Sequence, residues 1–149
     1  MGSGGWLGAG FALTTRGCCT IRVGDGATTH GDVDSLEAAI ERLPVEGGTI
    51  CILPGRHQTK AELFERSDVT IHGCGPFSRL VGPAPDEGET EARPVIHIGG
   101  CHNVRIHDLA IDAPSGPGIL VDIPKGVFEF SQGLELERLH IRAAIRSAI

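Results

Sequence analysis

The sequence contains few aromatic residues. Only 4% of its 149 residues are aromatic, with one tryptophan and no tyrosine. Tryptophan and tyrosine supply the flat, amphipathic rings that ligands such as sugars stack on. This shortage weighs against a carbohydrate-binding or carbohydrate-cleaving surface in these residues.

Basic charge and long apolar runs are also scarce. The net charge is −6 at pH 7, whereas a nucleic-acid backbone or an anionic membrane attracts clustered lysine and arginine. No apolar run approaches the roughly 20 residues of a membrane-spanning helix, and the glycine-rich N-terminus lacks the basic segment of a signal peptide. We therefore expect no nucleic acid and no membrane among the partners. The sequence assigns no compartment.

The cysteines have no recognisable spacing. There are five, an odd number, and none forms a CxxC pair, which favours neither a disulfide framework nor a zinc site. We interpret Cys51, Cys74 and Cys101 as small buried apolar residues. The adjacent Cys18 and Cys19 are left without a role.

A repeated strand pattern organises the rest of the chain. In Asn103–Asp112, apolar and polar residues alternate, with a two-residue step at His107-Asp108 that predicts a bend in the strand. The pattern recurs in Asp68–Cys74 and Gly133–Ile141. Its first apolar residues, Val69, Val104 and Leu134, are 35 and 30 residues apart. An unequal period with a constant core phase is typical of a solenoid whose loops absorb insertions.

A helix precedes the repeats, and shorter strands lie between them. We predict a helix over about 34–43, with Asp34 as N-cap and Glu37 completing a capping box. Its apolar stripe should bury itself against the end of the strand stack. The strands predicted between the copies are Arg79–Val81, Pro94–Ile98, Gly118–Ile123 and Val127–Phe130. Three strands per coil without intervening helices predict an all-β protein, a right-handed parallel β-helix, over 18–149. We expect residues 1–17 to be an irregular lead-in.

The run from Asp34 to Gly55, DSLEAAIERLPVEGGTICILPG, resembles the opening of pectin-lyase-like β-helix proteins. Members begin with a capping helix, a Gly-Gly-x-Ile strand and a Pro-Gly turn, and the segments DVTIHGCG and NVRIHDLAI are similar to their coil consensus. The resemblance covers about 20–145 and implies the N-terminal part of a longer β-helix. We expect the C-terminal end to be truncated and covered by further coils or a second copy, because solenoids need covered ends.

Stacking the copies predicts columns of equivalent residues about 4.8 Å apart. The inward columns are Val69/Val104/Leu134, Ile71/Ile106/Leu136, Cys74/Leu109/Leu139 and Ile111/Ile141. The outward columns are Thr70/Arg105/Glu135, His72/His107/Glu137 and Gly73/Asp108/Arg138.

The outward columns hold the candidate site residues. His72, His107 and Glu137 form a set of two histidines and one carboxylate, which suits zinc or another transition metal. Asp108 is the candidate general base, with Arg105 or Arg138 stabilising developing charge. The alternative interpretation treats the histidines as ordinary surface residues. It also treats Arg105–Glu135 and Asp108–Arg138 as facing ion pairs.

No enzyme motif of the superfamily is complete. The paired aspartates and the Gly-His-Gly run of polygalacturonase-like hydrolases are missing, and we expect no cofactor. We predict a structural or binding scaffold that presents a surface to a carbohydrate or protein partner. The alternative is a polysaccharide lyase or glycoside hydrolase of the same superfamily.

Overall fold

The computed structural model describes residues 19–85, 87–88, 91 and 93–143. The predicted lead-in, 1–17, and the last six residues lie outside this part. One helix, α1, covers Leu36–Arg42. The strands are β1 Ile21–Val23, β2 Gly48–Ile52, β3 Gly55–Gln58, β4 Ala61–Phe64, β5 Ser67–Val81, β6 Ile96–Gly99, β7 His102–Ala113, β8 Ile119–Asp122 and β9 Gln132–Ala143.

The strands form two parallel sheets. The larger has the order β1-β2-β5-β7-β9, with β3 also paired to β5, and the smaller has the order β4-β6-β8. Every pairing is parallel. The prediction of an all-β protein made of parallel strands with little helix is therefore confirmed. The helix is too short to cross a membrane, and no other helix in the described residues is long and apolar enough to do so.

The register of the repeats agrees with the predicted columns over most of their length. Val69 pairs with Val104, and Val104 with Leu134. Ile111 likewise pairs with Ile141. Each copy starts at a residue with a left-handed backbone: φ is 58° at Asp68, 62° at Asn103 and 69° at Gly133. The side-chain amide of Asn103 donates a hydrogen bond of 2.6 Å to the Asp68 carboxylate, which ties two of these turns together.

The column through Cys74 was predicted wrongly. Arg79 lies seven positions after His72, whereas their partners Ala110 and His107 are three positions apart, so β5 carries four extra residues. Gly75 pairs with Leu109, and the Cys74 side chain is exposed. The buried Ser78 hydroxyl holds this irregularity, because it accepts a hydrogen bond from the Cys74 amide and donates one to the Ile52 carbonyl, both 2.8 Å.

Three smaller predictions also differ from the structure. The N-cap of α1 is Ser35, whose hydroxyl accepts a 3.1 Å hydrogen bond from the Ala38 amide, and not Asp34. Arg79–Val81 continues β5 instead of forming a separate strand. Val127–Phe130 is not a strand. Phe128 and Phe130 point into solvent, and aromatic β propensity alone does not make a segment a strand.

The two ends of the strand stack are covered differently. At the end formed by β1 and β4, the first strands of their sheets, α1 packs its buried Leu36, Ala39 and Ile40 into the core. At the opposite end, β8 and β9 are the last strands. Six of the eight large apolar side chains exposed in the described residues lie there. We call this set the open end: Val121, Ile123, Phe128, Phe130, Leu136 and Ile141.

Candidate functional site

The candidate residues lie on the outer face of the larger sheet. Thr70, Arg105 and Glu135 pair in sequence across β5, β7 and β9. The next column contains His72, His107 and Glu137, again in direct register. This column continues towards α1, because Cys51 on β2 pairs with His72. Alternation along three adjacent strands is what brings these side chains together, since their apolar neighbours face the core.

The bend in β7 is made by Asp108. Its φ of 56° places it in the left-handed region, which aspartate tolerates better than most side chains. Arg138 has the same conformation, with a φ of 48°, at the equivalent place in β9. The predicted bend at His107-Asp108 is therefore confirmed, and it directs Asp108 and Arg138 towards each other.

Charged groups on this face are paired. Arg138 donates to both Asp108 oxygens at 2.7 and 2.9 Å, and Arg105 lies 3.6 Å from Glu135. Both ion pairs were predicted in the interpretation that gives Arg105 and Asp108 no catalytic role. Glu137 joins the network through Arg105 and Arg138, each at 3.0 Å. A network of this kind orders the outer surface, although ion pairs this exposed to solvent each contribute little to stability.

The surroundings of Asp108 bear on its predicted role as general base. Hydrogen bonds from Arg138 and then from His107 hold the pKa of Asp108 well below its usual range. The same contact with Asp108 raises the pKa of Arg138. A carboxylate so strongly stabilised in its ionised form is a weak proton acceptor. The catalytic roles of Asp108 and Arg105 stay predictions, and they require this network to open when substrate binds.

The predicted metal ligands are brought into one column but not into a shared coordination geometry. The rings of His72 and His107 stack, with centroids 4.9 Å apart and planes 7° apart. Nitrogen lone pairs lie in the ring plane, so stacked rings direct them side by side instead of towards one point. His107 Nδ1 donates to Asp108 at 2.6 Å, and both Glu137 oxygens accept from arginines. The three-residue metal site stays a prediction.

The cysteines behave differently from the prediction. Cys19 and Cys51 form a disulfide across 32 residues. Cys51 is buried as expected, but it is not part of the packed apolar cluster that contains its neighbours Ile50 and Ile52. The interpretation of Cys51 as a buried apolar residue was therefore wrong in its chemistry. Its alternation with the two isoleucines was the available signal that it faces outwards.

The two remaining described cysteines also differ from each other. Cys101 is buried, as predicted, and its thiol donates a hydrogen bond of 3.0 Å to the Leu63 carbonyl. Burial raises the pKa of Cys101. Cys74 is an exposed free thiol, contrary to prediction, because the four extra residues of β5 turn it away from the core.

His72 connects this disulfide to the predicted site. Its Nε2 lies 3.2 Å from Cys51 Sγ. A disulfide sulfur carries no hydrogen, so the imidazole donates and the sulfur accepts. Burial and then repulsion from His107 lower the pKa of His72. Potential metal-binding atoms of Cys19, Cys51 and His72 all lie within 4.8 Å of one another, an association that the sequence pattern did not reveal.

The sequence also did not predict a shallow groove, which lies along the C-terminal halves of β5, β7 and β9. Arg56, Asp112 and Arg142 line it, and an adjoining depression adds Arg79 and His140. Arg79 donates to both oxygens of Asp112 at 2.8 Å. The groove is therefore locally basic although the chain as a whole is acidic.

Comparison with known proteins adds no family to this description. No protein-family model matches the sequence, and no curated protein matches it significantly.

Proposed function

We propose that this chain is a structural, protein-binding scaffold, built as the N-terminal coils of a right-handed parallel β-helix. The observation that carries the proposal is the contrast between an end covered by α1 and an open end rich in exposed apolar side chains. The pectin-lyase-like resemblance belongs to this proposal.

The chain path supports a helical coil. Successive strands alternate between the two sheets, from β4 to β5, β6 to β7 and β8 to β9. Both sheets advance by the same number of residues in the first complete repeat, since Leu63 pairs with Ile98 and Ile71 with Ile106, each 35 residues on. The bend at Asp108 divides β7 into two faces, and β8 supplies the third. Connections between parallel strands are right-handed in about 98% of cases, which favours a right-handed coil.

The open end supports a protein partner. β8 and β9 are the edge strands of their sheets at this end. An unpaired strand edge is a template for another strand. Leu136 is 49% exposed and Ile141 is 46% exposed, although their register partners in β7 are fully buried. Such side chains match a layer of parallel strands with the same alternation. Further coils of a longer chain or a second copy would supply that layer.

Sedimentation of the purified chain over a wide concentration range tests the proposal. If a second copy covers the open end, we expect association that Leu136→Glu abolishes and Val45→Glu leaves intact, because Val45 is 92% exposed but lies outside the open end. If further coils cover it, the chain stays monomeric and binds a hydrophobic dye, with the same dependence on Leu136. A monomer that binds no dye contradicts the proposal.

A second candidate function is binding of an acidic carbohydrate in the arginine-lined groove. The positions of Arg56 and Arg142 beside Asp112 favour an anionic ligand there. Calorimetric titration with a uronic-acid oligosaccharide tests it, with Arg142→Ala as the variant and Arg105→Ala, which lies outside the groove, as the control. Equal binding by both variants would remove the groove from consideration.

The enzymatic alternative is tested with the same sample. Depolymerisation of a uronan or another glycan by the purified chain would contradict a purely structural role. Loss of that activity in Asp108→Ala or Arg105→Ala, with unfolding curves near wild type, would assign these residues to it.

A further inference from the structure

We propose that Cys19, Cys51 and His72 form a zinc site that is closed by the Cys19–Cys51 disulfide and opened by its reduction. The three residues lie side by side at the helix-covered end. Cys19 immediately precedes the segment that enters β1, Cys51 is on β2, and His72 is on β5. The site is separate from the open end, so it stands or fails independently of the scaffold proposal.

The geometry suits one ion. The donor atoms of the three residues lie within 4.8 Å of one another, and zinc takes sulfur ligands at about 2.3 Å and nitrogen at about 2.0–2.1 Å. The backbone is held on both sides of the set. The Thr20 amide donates to the Thr49 carbonyl at 2.7 Å, and Cys51 and His72 are register partners in paired strands. Only the two sulfurs have to separate.

The histidine is prepared for this role. Its Nε2 already points at Cys51 Sγ, 3.2 Å away. Its other ring nitrogen, Nδ1, can carry the ring proton when Nε2 binds a metal ion. The stacked ring of His107 limits the rotation of His72.

The chemical steps balance with a thiol reductant. Two thiol molecules reduce the disulfide: the S–S bond breaks, each cysteine sulfur gains one electron and one proton, and the two reductant molecules join as a disulfide. The two cysteine thiols then release two protons as they bind Zn²⁺. His72 transfers its ring proton to Nδ1 and binds through Nε2. Three protein ligands leave a fourth position for water.

Cobalt titration of the full chain tests the site. The protein is reduced with excess thiol, desalted without oxygen and titrated with Co²⁺ alone. We expect one thiolate-to-cobalt charge-transfer signal per chain, its displacement by one equivalent of Zn²⁺, and release of about two protons per ion. The oxidised protein should give no signal. A signal of equal strength from oxidised protein, or none from reduced protein, overturns the proposal.

Variants separate this set from its neighbours. Cys51→Ser removes one of the two thiolate ligands and should abolish the charge-transfer signal. His72→Ala should weaken zinc binding at least about tenfold. Cys74→Ser, two residues beyond His72, and Glu137→Gln should bind as wild type does. Cys18→Ser should also bind normally. Loss of binding in Glu137→Gln or Cys18→Ser would show that the ligands have been assigned wrongly.

Circular dichroism covers the case in which reduction unfolds the chain. His72→Ala keeps the disulfide, so its oxidised form should show the wild-type β spectrum. If reduced wild-type protein loses that spectrum, Zn²⁺ should restore it in wild type and not in reduced His72→Ala. Failure of Zn²⁺ to restore it in wild type overturns the proposal.

Discussion

The interior of the strand stack and its open end contain the same kind of strand but bury it to different extents. Ile111 on β7 and Ile141 on β9 are register partners with the same side chain. Ile111 is fully buried, whereas Ile141 is 46% exposed. The alternation of residues determines which way each side chain points. Whether it is buried depends on the layer that follows: β9 covers Ile111 on β7, whereas no described element covers β9.

The largest effect is expected at the helix-covered end. Leu36 lies on the buried stripe of α1, so Leu36→Ala should lower the free energy of unfolding by about 3–5 kcal/mol through lost burial and the cavity left behind. Phe128→Ala at the open end should change it by less than about 0.5 kcal/mol, because Phe128 is 90% exposed. Denaturant unfolding of both variants measures the difference. Comparable losses would mean that the open end is already covered in solution.

A matched pair of substitutions sharpens the comparison. Ile111→Ala should cost about 2–5 kcal/mol, and Ile141→Ala about half of that or less, since about half of its side chain is already in water. The two residues share register and chemistry, so only the covering layer differs. At protein concentrations where the chain associates, the two costs should converge. Equal costs for the monomer would contradict the difference between the covered strand β7 and the open strand β9.

The cap of α1 gives a smaller effect. Ser35→Ala removes the hydroxyl that accepts from the Ala38 amide and should cost about 1 kcal/mol. Asp34→Ala, its neighbour, should cost less because Ser35 is the N-cap. Thermal unfolding of the two variants checks the position of the cap, and a larger loss in Asp34→Ala would restore the cap predicted from the sequence.

The smallest effect concerns the ion pairs that link β7 to β9. The folded-state pKa of Asp108 is lowered, so its contribution to stability is present above its unfolded pKa, about 4, and is lost as pH falls towards the folded value. Wild type should therefore exceed Asp108→Asn in unfolding midpoint near neutral pH. The difference should shrink below pH about 4 and in high salt. A difference independent of pH would exclude the carboxylate charge as its source.

The parts of the fold that follow local patterns were predictable. Alternation around Val104 and Ile106 identified the strands, their inward faces and the register between copies. It also identified the ion pairs of Arg105 and Asp108, because facing residues on paired strands must meet. The helix was located, with its cap displaced by one residue, since Asp34 and Ser35 are both good caps and only the backbone selects between them.

The parts of the fold that depend on contacts distant in sequence were not predictable. The four extra residues after His72 shift the register in a way that spacing alone does not reveal. The pairing of Cys19 with Cys51 follows from β1 lying beside β2, and the approach of His72 follows from β2 lying beside β5.

By itself, the sequence determined the helix, the three repeated strands and the direction of most of their side chains, because a strand's period of two acts over neighbouring residues. Only the tertiary structure decided which inward residues are buried, which cysteines meet and where the surface stays open. Each of these is set by the next layer of the stack, which lies 21 to 35 residues away along the larger sheet's central strands.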